Sequence, residues 1–542
     1  MRFQRSLALL GVAFLWWALG PWVPLVLLVA LVVPYTRRWI WWWLDPTWKV
    51  AGIWAATVLA LVGLVVLVPD GWLPIPPGPG AWVTQGYVGR PAVAQPVRMT
   101  LPQHPGLAPA GQSSMHDDPW ASDAYAWAGP LGESPEVDTS WFGLEECATL
   151  AVDGEGRLVG LCGDLHGPTL HVIDPDSMRP VATKDLPDRS AAGSDTASWK
   201  PWEDLCAGAY FYLDDRDQAV VATTDRHVLV VSTHDSEGDP DLTTQASYDL
   251  TSVVPRSDCL LALMPDWDGT IWWVTQDGRV GTIDPGSGDT TVLDLDEEVA
   301  NSIAVDAGGG VYVVTTEATY RITRGRTGPP RVTWRTAYDR GSEEKSGQLS
   351  QGSGTTPTLL PGGLLAITDN ADPRMHVVFL RREDGAEVCR AAVFGDDESA
   401  TENSLVSVGG GGVVVENNHG YDGPLSTVLG RTTDAGLARV DVVGSTCRVA
   451  WTADVAAPSS VAKVSLANGL LYAYTKEHSW WLADAWYVSA FDVRTGRRVF
   501  AVRTGTGLLR NNHYAAITIT PDSSLYVATL GGLVRVRDRG VG

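Results

Sequence analysis

The sequence predicts an all-β chain folded as an eight-bladed β-propeller, preceded by an N-terminal transmembrane helical anchor. Two apolar runs without a charge lie in the first 70 residues, and from residue 147 a unit of β-rich runs and tight Gly/Asp turns recurs eight times. A third observation removes helical architectures: within the repeats no long helical periodicity is present.

The chain has 542 residues, 45% of them apolar, with 57 Gly and 34 Pro, which supports a large core and excludes disordered and collagen-like chains. Its net charge of −23 excludes nucleic acid as a partner, because phosphate binding needs clustered positive charge. In residues 1–70, Arg2, Arg5, Arg37, Arg38 and Lys49 outnumber Asp45 and Asp70, so the acidity belongs to the remainder.

Residues 1–70 read as a membrane anchor. Spans are expected at about 6–33 and 50–69, each long enough to cross ~30 Å of hydrocarbon. Residues 34–49 carry Arg37, Arg38 and Lys49 beside Trp39, Trp41, Trp42, Trp43 and Trp48, the pattern of a cytoplasmic loop edged by an aromatic belt. That orientation puts the chain beyond Asp70 on the extracytoplasmic side of the cell membrane. Gly20-Pro21-Trp22-Val23-Pro24 interrupts the first run, which is either one kinked span or a re-entrant hairpin. A cleaved signal at residues 1–20 and a buried helix pair are the competing readings. Residues 71–88 are rich in Pro and Gly and read as a stiff stalk.

Residues 89–542 form the propeller. First strands begin near residues 147, 206, 259, 302, 357, 404, 464 and 515, from 43 to 60 residues apart, each followed by a turn and a second apolar run. A ring of blades leaves an all-β chain without open edges; an open solenoid is the alternative. The last unit has three strands, so a strand from residues 89–145 is expected to complete it.

Ala490, Asp492, Thr495 and Gly496 resemble the turn of the quinoprotein-like, PQQ-repeat-like propeller superfamily, with weaker copies at Ile283-Asp284 with Gly286, Ile173-Asp174 and Glu383-Asp384-Gly385. Asn301 to Asp306, with Gly309 and Tyr312, is similar to propellers of the gluconolactonase and strictosidine-synthase type. The resemblance implies the fold. Quinone-dependent members use a vicinal disulfide and often a haem domain, whereas this chain has no adjacent Cys pair and no CxxCH. Neither PQQ nor haem is therefore expected.

First-strand starts and second-strand ends share one face of a propeller, so their residues converge on one mouth. The starts supply Glu146, Glu203, Asp204, Asp258, Asn301, Glu402, Asn403, Lys463, Asn511, Asn512 and His513 as candidate ligand-binding residues. The ends supply Asp369, Asn370, Glu416, Asn417 and Asn418, hard oxygen donors of the kind Ca²⁺ takes. Asp and Asn also close Asx-turns at strand ends, which is the structural explanation for the same residues. Like carboxylates at one mouth repel, and Lys463 and Lys476 are the cations at hand to neutralise them. Before the first blade, His116 stands next to Asp117 and Asp118, either as a catalytic base or metal ligand or as part of a solvated loop.

All six cysteines lie beyond the stalk, where disulfides persist. If DGEG at 153–156 is the first turn, Cys147 lies opposite Cys162, where a cross-strand disulfide can form. Cys206 and Cys259 hold equivalent inner-strand positions, and Cys389 and Cys447 equivalent outer-strand positions, in neighbouring blades; six buried thiols are the alternative. The functional expectation is an extracytoplasmic module that binds a protein, glycan or small molecule through an acidic axial face. The alternative is a calcium-dependent hydrolase or lactonase at the same mouth, with His116 or His513 moving the proton.

Overall fold

The computed structural model describes residues 2–45, 47–189, 206, 210–234, 240–325 and 328–540. Eight antiparallel sheets follow one another in chain order, each with its first strand innermost. Blades 1 to 7 cover residues 146–185, 211–249, 260–294, 304–337, 358–392, 406–453 and 463–506. Blade 8 holds Ile517–Ile519, Leu525–Thr529 and Gly532–Asp538, and Pro135–Trp141 pairs antiparallel with the last of these, from Pro135 opposite Asp538 to Trp141 opposite Gly532. The ring is thus closed by a strand from the segment ahead of the first repeat.

The pattern of apolar residues explains the layers. Second strands such as Ile271–Thr275 and Leu470–Thr475 are buried at every position because a neighbouring blade covers each face. Outer strands such as Arg179–Asp185 alternate between exposed and half-buried residues. Neighbouring blades are locked by tryptophans. The Trp451 indole N–H of blade 6 donates to Val493 O at 2.9 Å, and its ring lies over Gly496 in the outer turn of blade 7. Trp334 of blade 4 does the same with Arg382 O and Gly385 of blade 5. Gly496 has φ of +68°, and a Cβ there would stand 2.4 Å from the Trp451 ring.

The cysteines pair as Cys147–Cys162, Cys206–Cys259 and Cys389–Cys447. The first joins two strands of blade 1, and each of the others ties adjacent blades.

The N-terminal region departs from the expected two spans and a loop. The run at 6–33 is divided at Gly20-Pro21 into α1 (Arg2–Leu19) and α2 (Trp22–Val32), because Gly20 takes φ of +84° and Pro21 has no N–H to continue the helix. The expected loop at 34–49 is largely helical: α3 spans Pro34–Leu44, and α4 follows as Trp48–Leu67. Among the described residues no single helix is long and apolar enough to cross a membrane; α2 and α3 together meet that test across a bend of 103°.

The expected stalk lies against the ring. Leu73 O accepts the Trp141 N–H at 2.8 Å, Ile75 is buried, and Gly78 O accepts the Thr506 hydroxyl at 2.7 Å. Tyr87–Gly89 then adds an outer strand to blade 7. Gly78 is the reason the chain lies so close, since a Cβ there would fall 2.0 Å from Thr506 O.

Two outcomes are expected. Denaturing alkylation without reductant will label none of the six cysteines, as counted by intact mass. Gly496→Ala will cost roughly 1–3 kcal/mol of unfolding free energy through strain and overpacking against Trp451. Gly86→Ala, where nothing lies within 4 Å, will change it little in the same denaturant titration.

Candidate functional site: the propeller axis

The segment preceding the closing strand fills the axis. Gln112 O, Ser113 O, Pro119 O, Trp120 O, Ser122 O and Asp123 O accept backbone N–H groups of Val152, Leu213, Val305, Leu359, Ser407 and Val464. These donors belong to blades 1, 2, 4, 5, 6 and 7, at the ends of the innermost strands, and Ala124–Tyr125 pairs parallel with Val464 and Ser465. An innermost strand has an edge that no further strand of its own blade can satisfy. This segment satisfies it, which makes residues 112–125 a plug across the channel on the side of the short turns.

The plug carries His116, Asp117, Asp118 and Asp123, all buried, so the expected solvated loop is not what the structure shows. Asp118 accepts from Trp120 N at 2.8 Å and from the Ser122 hydroxyl. His116 Nδ1 lies 3.1 Å from Asp123 Oδ1, and Nε2 lies 3.2 Å from Thr356 Oγ1 in blade 5. Lys463 Nζ donates to Asp123 Oδ1 at 2.5 Å, stands 3.3 Å from Asp117 Oδ2 and also donates to Met115 O. Burial opposes charge on Asp117, Asp118, Asp123 and Lys463. In Asp123, Lys463 and then His116 outweigh it and hold the carboxyl below its usual range. In Asp117 burial wins over Lys463 and pushes the carboxyl well up, and burial raises Asp118 to about 7. One ion pair, Asp123 with Lys463, therefore anchors the plug among carboxyls that favour the protonated form.

At the mouth end, the candidates separate into two groups. Glu203 and Asp204 lie outside the described residues. Asp258 is committed to Arg279 at 2.6 Å and to two backbone N–H groups, and the Asn301 amide donates to Ser353 O. Asp369 accepts from His376, Asn370 donates to Arg340 O and Glu343 O, Asn417 to Glu398 O, and Asn418 to Ala457 O and Pro458 O. These side chains staple loops to strand ends, Asn370 Oδ1 alone among them being buried without a partner, and among the described residues no group of three or more His, Cys, Asp or Glu side chains is gathered as for a metal. Lys463 leaves the mouth for the plug, and Lys476 pairs with Asp484, so neither neutralises the ring of carboxylates.

The second group keeps free acceptors. Asn403 Nδ2 donates to Glu416 Oε2 at 2.6 Å and to Ser460 O at 2.7 Å, while Asn403 Oδ1, Glu416 Oε1 and Ser460 Oγ are buried with no partner. Glu402 Oε2 and Glu146 Oε1 are buried and unpartnered as well. Burial raises Glu402 to about 8 and lifts Glu146 and Glu416 well above the usual carboxylate range. Tyr210, just ahead of blade 2, is held up first by burial and then by the charge of Glu402, just ahead of blade 6. Over this layer, Tyr421 donates to Asn511 Oδ1 at 2.8 Å with His513 Nδ1 at 3.1 Å, Ser459 donates to Asn512 Oδ1, and Tyr514 donates to Gly347 O at 3.2 Å. Asn511, Asn512 and His513 thus belong to a roof of loops from blades 5, 6 and 8.

No family model matches the chain. An alignment of 309 positions, which covers 50% of the chain, is 29% identical to an uncharacterized protein of Archaeoglobus fulgidus and spans 59% of that relative's length. Among solved structures, BamB from Moraxella catarrhalis is similar over 59% of this chain and 93% of its own, at 15% identity and a TM-score of 0.39. Streptogramin B lyase is similar over 72% of this chain and 93% of its own, at 9% identity and a TM-score of 0.39. The computationally designed Ika8 protein is similar over 72% and 95%, at 12% identity and a TM-score of 0.43.

Lys463→Met leaves the buried Asp123 with His116 as its remaining side-chain partner, and is expected to cost roughly 3–5 kcal/mol at neutral pH. The loss will shrink at acidic pH as Asp123 and Asp117 protonate, and Lys184→Met on an outer strand will stay within about 0.5 kcal/mol in the same titrations. Asp118 at about 7 and Glu402 at about 8 bind protons in the folded state that the unfolded chain has released. Their stabilisation is complete below the ordinary carboxylate range and is lost as pH rises through 7 and 8. The melting temperature will therefore fall across that window, and Glu402→Gln will make the fall shallower.

Proposed function

We propose that the chain is an extracytoplasmic binding module, held at the membrane by its N-terminal helices, whose axial mouth takes up a cationic group of a partner protein or small molecule. The three disulfides support an oxidising compartment. One observation carries the rest: Glu146, Glu402 and Glu416 each bury a carboxylate oxygen without a donor, and Asn403, which donates to Glu416, keeps an equally unpartnered Oδ1. Unmade hydrogen bonds of buried groups are costly, and a carboxylate adds the cost of desolvated charge. An amine or guanidinium supplies the missing donors and the missing charge together. The roof of Tyr421, His513 and Tyr514 sets access to this layer.

A hydrolytic reading has one observation in its favour, the series Thr356, His116 and Asp123 joined as nucleophile, base and orienting carboxylate. Thr356 Oγ1 also accepts the Ser302 N–H at 3.2 Å and is buried, which suits a structural relay. Calcium remains the alternative cation for the free oxygens.

Thermal melting of the full chain in detergent tests the proposal, with spermidine as the amine probe, sodium chloride at matched ionic strength as control, and calcium chloride as a separate arm. A group that binds only the folded state stabilises it by about 2.7 kcal/mol at 100 times Kd. Spermidine is expected to raise the melting temperature, and Glu402→Gln with Glu416→Gln to abolish most of that rise. No rise in the parent, or an equal rise in the double variant, overturns the amine reading; a rise with calcium alone replaces it by the metal one.

A further inference from the structure

The exposed apolar side chains of the propeller are not scattered. Among the described residues beyond 88, every exposed leucine and tryptophan lies in a connection on the mouth face: Leu144, Leu165, Leu425, Leu429, Trp480, Trp481 and Leu508. The other large exposed hydrophobics in that range are valines, mostly on outer strands and turns. The loops of blades 6 and 7 form one surface, since Asp484 accepts the backbone N–H of Leu429 and Gly430, and its carbonyl accepts that of Gly507.

The same face receives the ends of the apolar helices. Gly80 and Trp82 donate backbone hydrogen bonds to Trp17 O and Ala18 O at the end of α1, Phe14 and Trp17 pack on the Trp82 ring, and Gly20 lies against Trp481 O. At the other corner the Trp141 indole donates to Val65 O near the end of α4, and Asp70 sits beside Gly143. Two apolar helices and seven exposed Leu and Trp side chains thus meet on one side of the ring. Patches of this kind mark interaction surfaces, and tryptophan with leucine at helix ends is the composition of a bilayer interface.

We propose that the mouth face rests on the lipid bilayer, with Trp480, Trp481, Leu425 and Leu429 entering the headgroup layer and the axis opening toward the membrane. This rests on reading the N-terminal helices as the anchor. The axial acceptors then face groups at or near the membrane surface, and the short turns and plug face away from it.

Site-directed spin labelling of the full chain in phosphatidylcholine vesicles tests it, because the six native cysteines are paired and leave an introduced thiol to be labelled. Labels at Leu425→Cys and Trp480→Cys report the proposed contact, Leu59→Cys in α4 reports anchoring, and Glu155→Cys reports the opposite face. The first three are expected to collide with oxygen several-fold more, relative to a water-soluble nickel chelate, than the label at 155. A lipid-like label at 59 with water-like labels at 425 and 480 overturns the seating and leaves the anchor standing. A water-like label at 59 overturns the anchor itself. Labels at 425 and 480 shielded from both reagents show a protein surface, such as a second copy, in place of lipid, and also overturn the proposal.

Discussion

The structure depends on how the free edges around its axis are satisfied. Eight innermost strands point one edge at a common centre, and a backbone edge cannot be left there without partners. The solution is a single winding segment, 112–125, six of whose carbonyls take one N–H each from six blades. The acidity of the plug follows from this. A polar segment brought inside carries its side chains with it, and Asp117, Asp118 and Asp123 are buried because the backbone beside them is needed where it is.

The axis is consequently a place where charge is suppressed more than displayed. A formal count gives a crowd of carboxylates, but burial keeps Asp117, Asp118, Glu146, Glu402 and Glu416 toward the neutral form, and a single buried lysine selects Asp123 to remain ionised. Whatever enters the mouth competes with protons more than with solvent. Acidity and recognition are coupled at this site through the same oxygens.

Much of the architecture was legible in the sequence, because blades repeat and each repeat announces its inner hairpin with apolar runs and a Gly/Asp turn. The opposition of Cys147 and Cys162 was legible for a more accidental reason. The hairpin pairs Val152 with Leu158, one residue away from the expected register, and a bulge between Cys147 and Thr149 brings the cysteines back into line. The plug was not legible, since the hydrogen bonds that join it to the inner strands come from its backbone and ask little of its residue types. A trace was present nonetheless: one closing strand, Pro135–Trp141, uses only a small part of residues 89–145. At the mouth, Asx-turn chemistry and site chemistry use the same residues, so the sequence could not separate Asn417 and Asn418, which are loop staples, from Asn403, which keeps a free oxygen. The break at Gly20-Pro21 was visible; the helix over residues 34–44 was hidden by reading Arg and Trp there as a loop.

The plug also has a consequence for how such a chain varies. Six of its carbonyls are each assigned to a particular blade, in the order of the blades around the ring, at a spacing set by the turns between them. Duplication or deletion of one repeat, the usual way in which repeat arrays change length, would put every later carbonyl out of step with its donor. The blade number is therefore held by an element outside the repeats, and this ring is free to diverge blade by blade but not to be recounted.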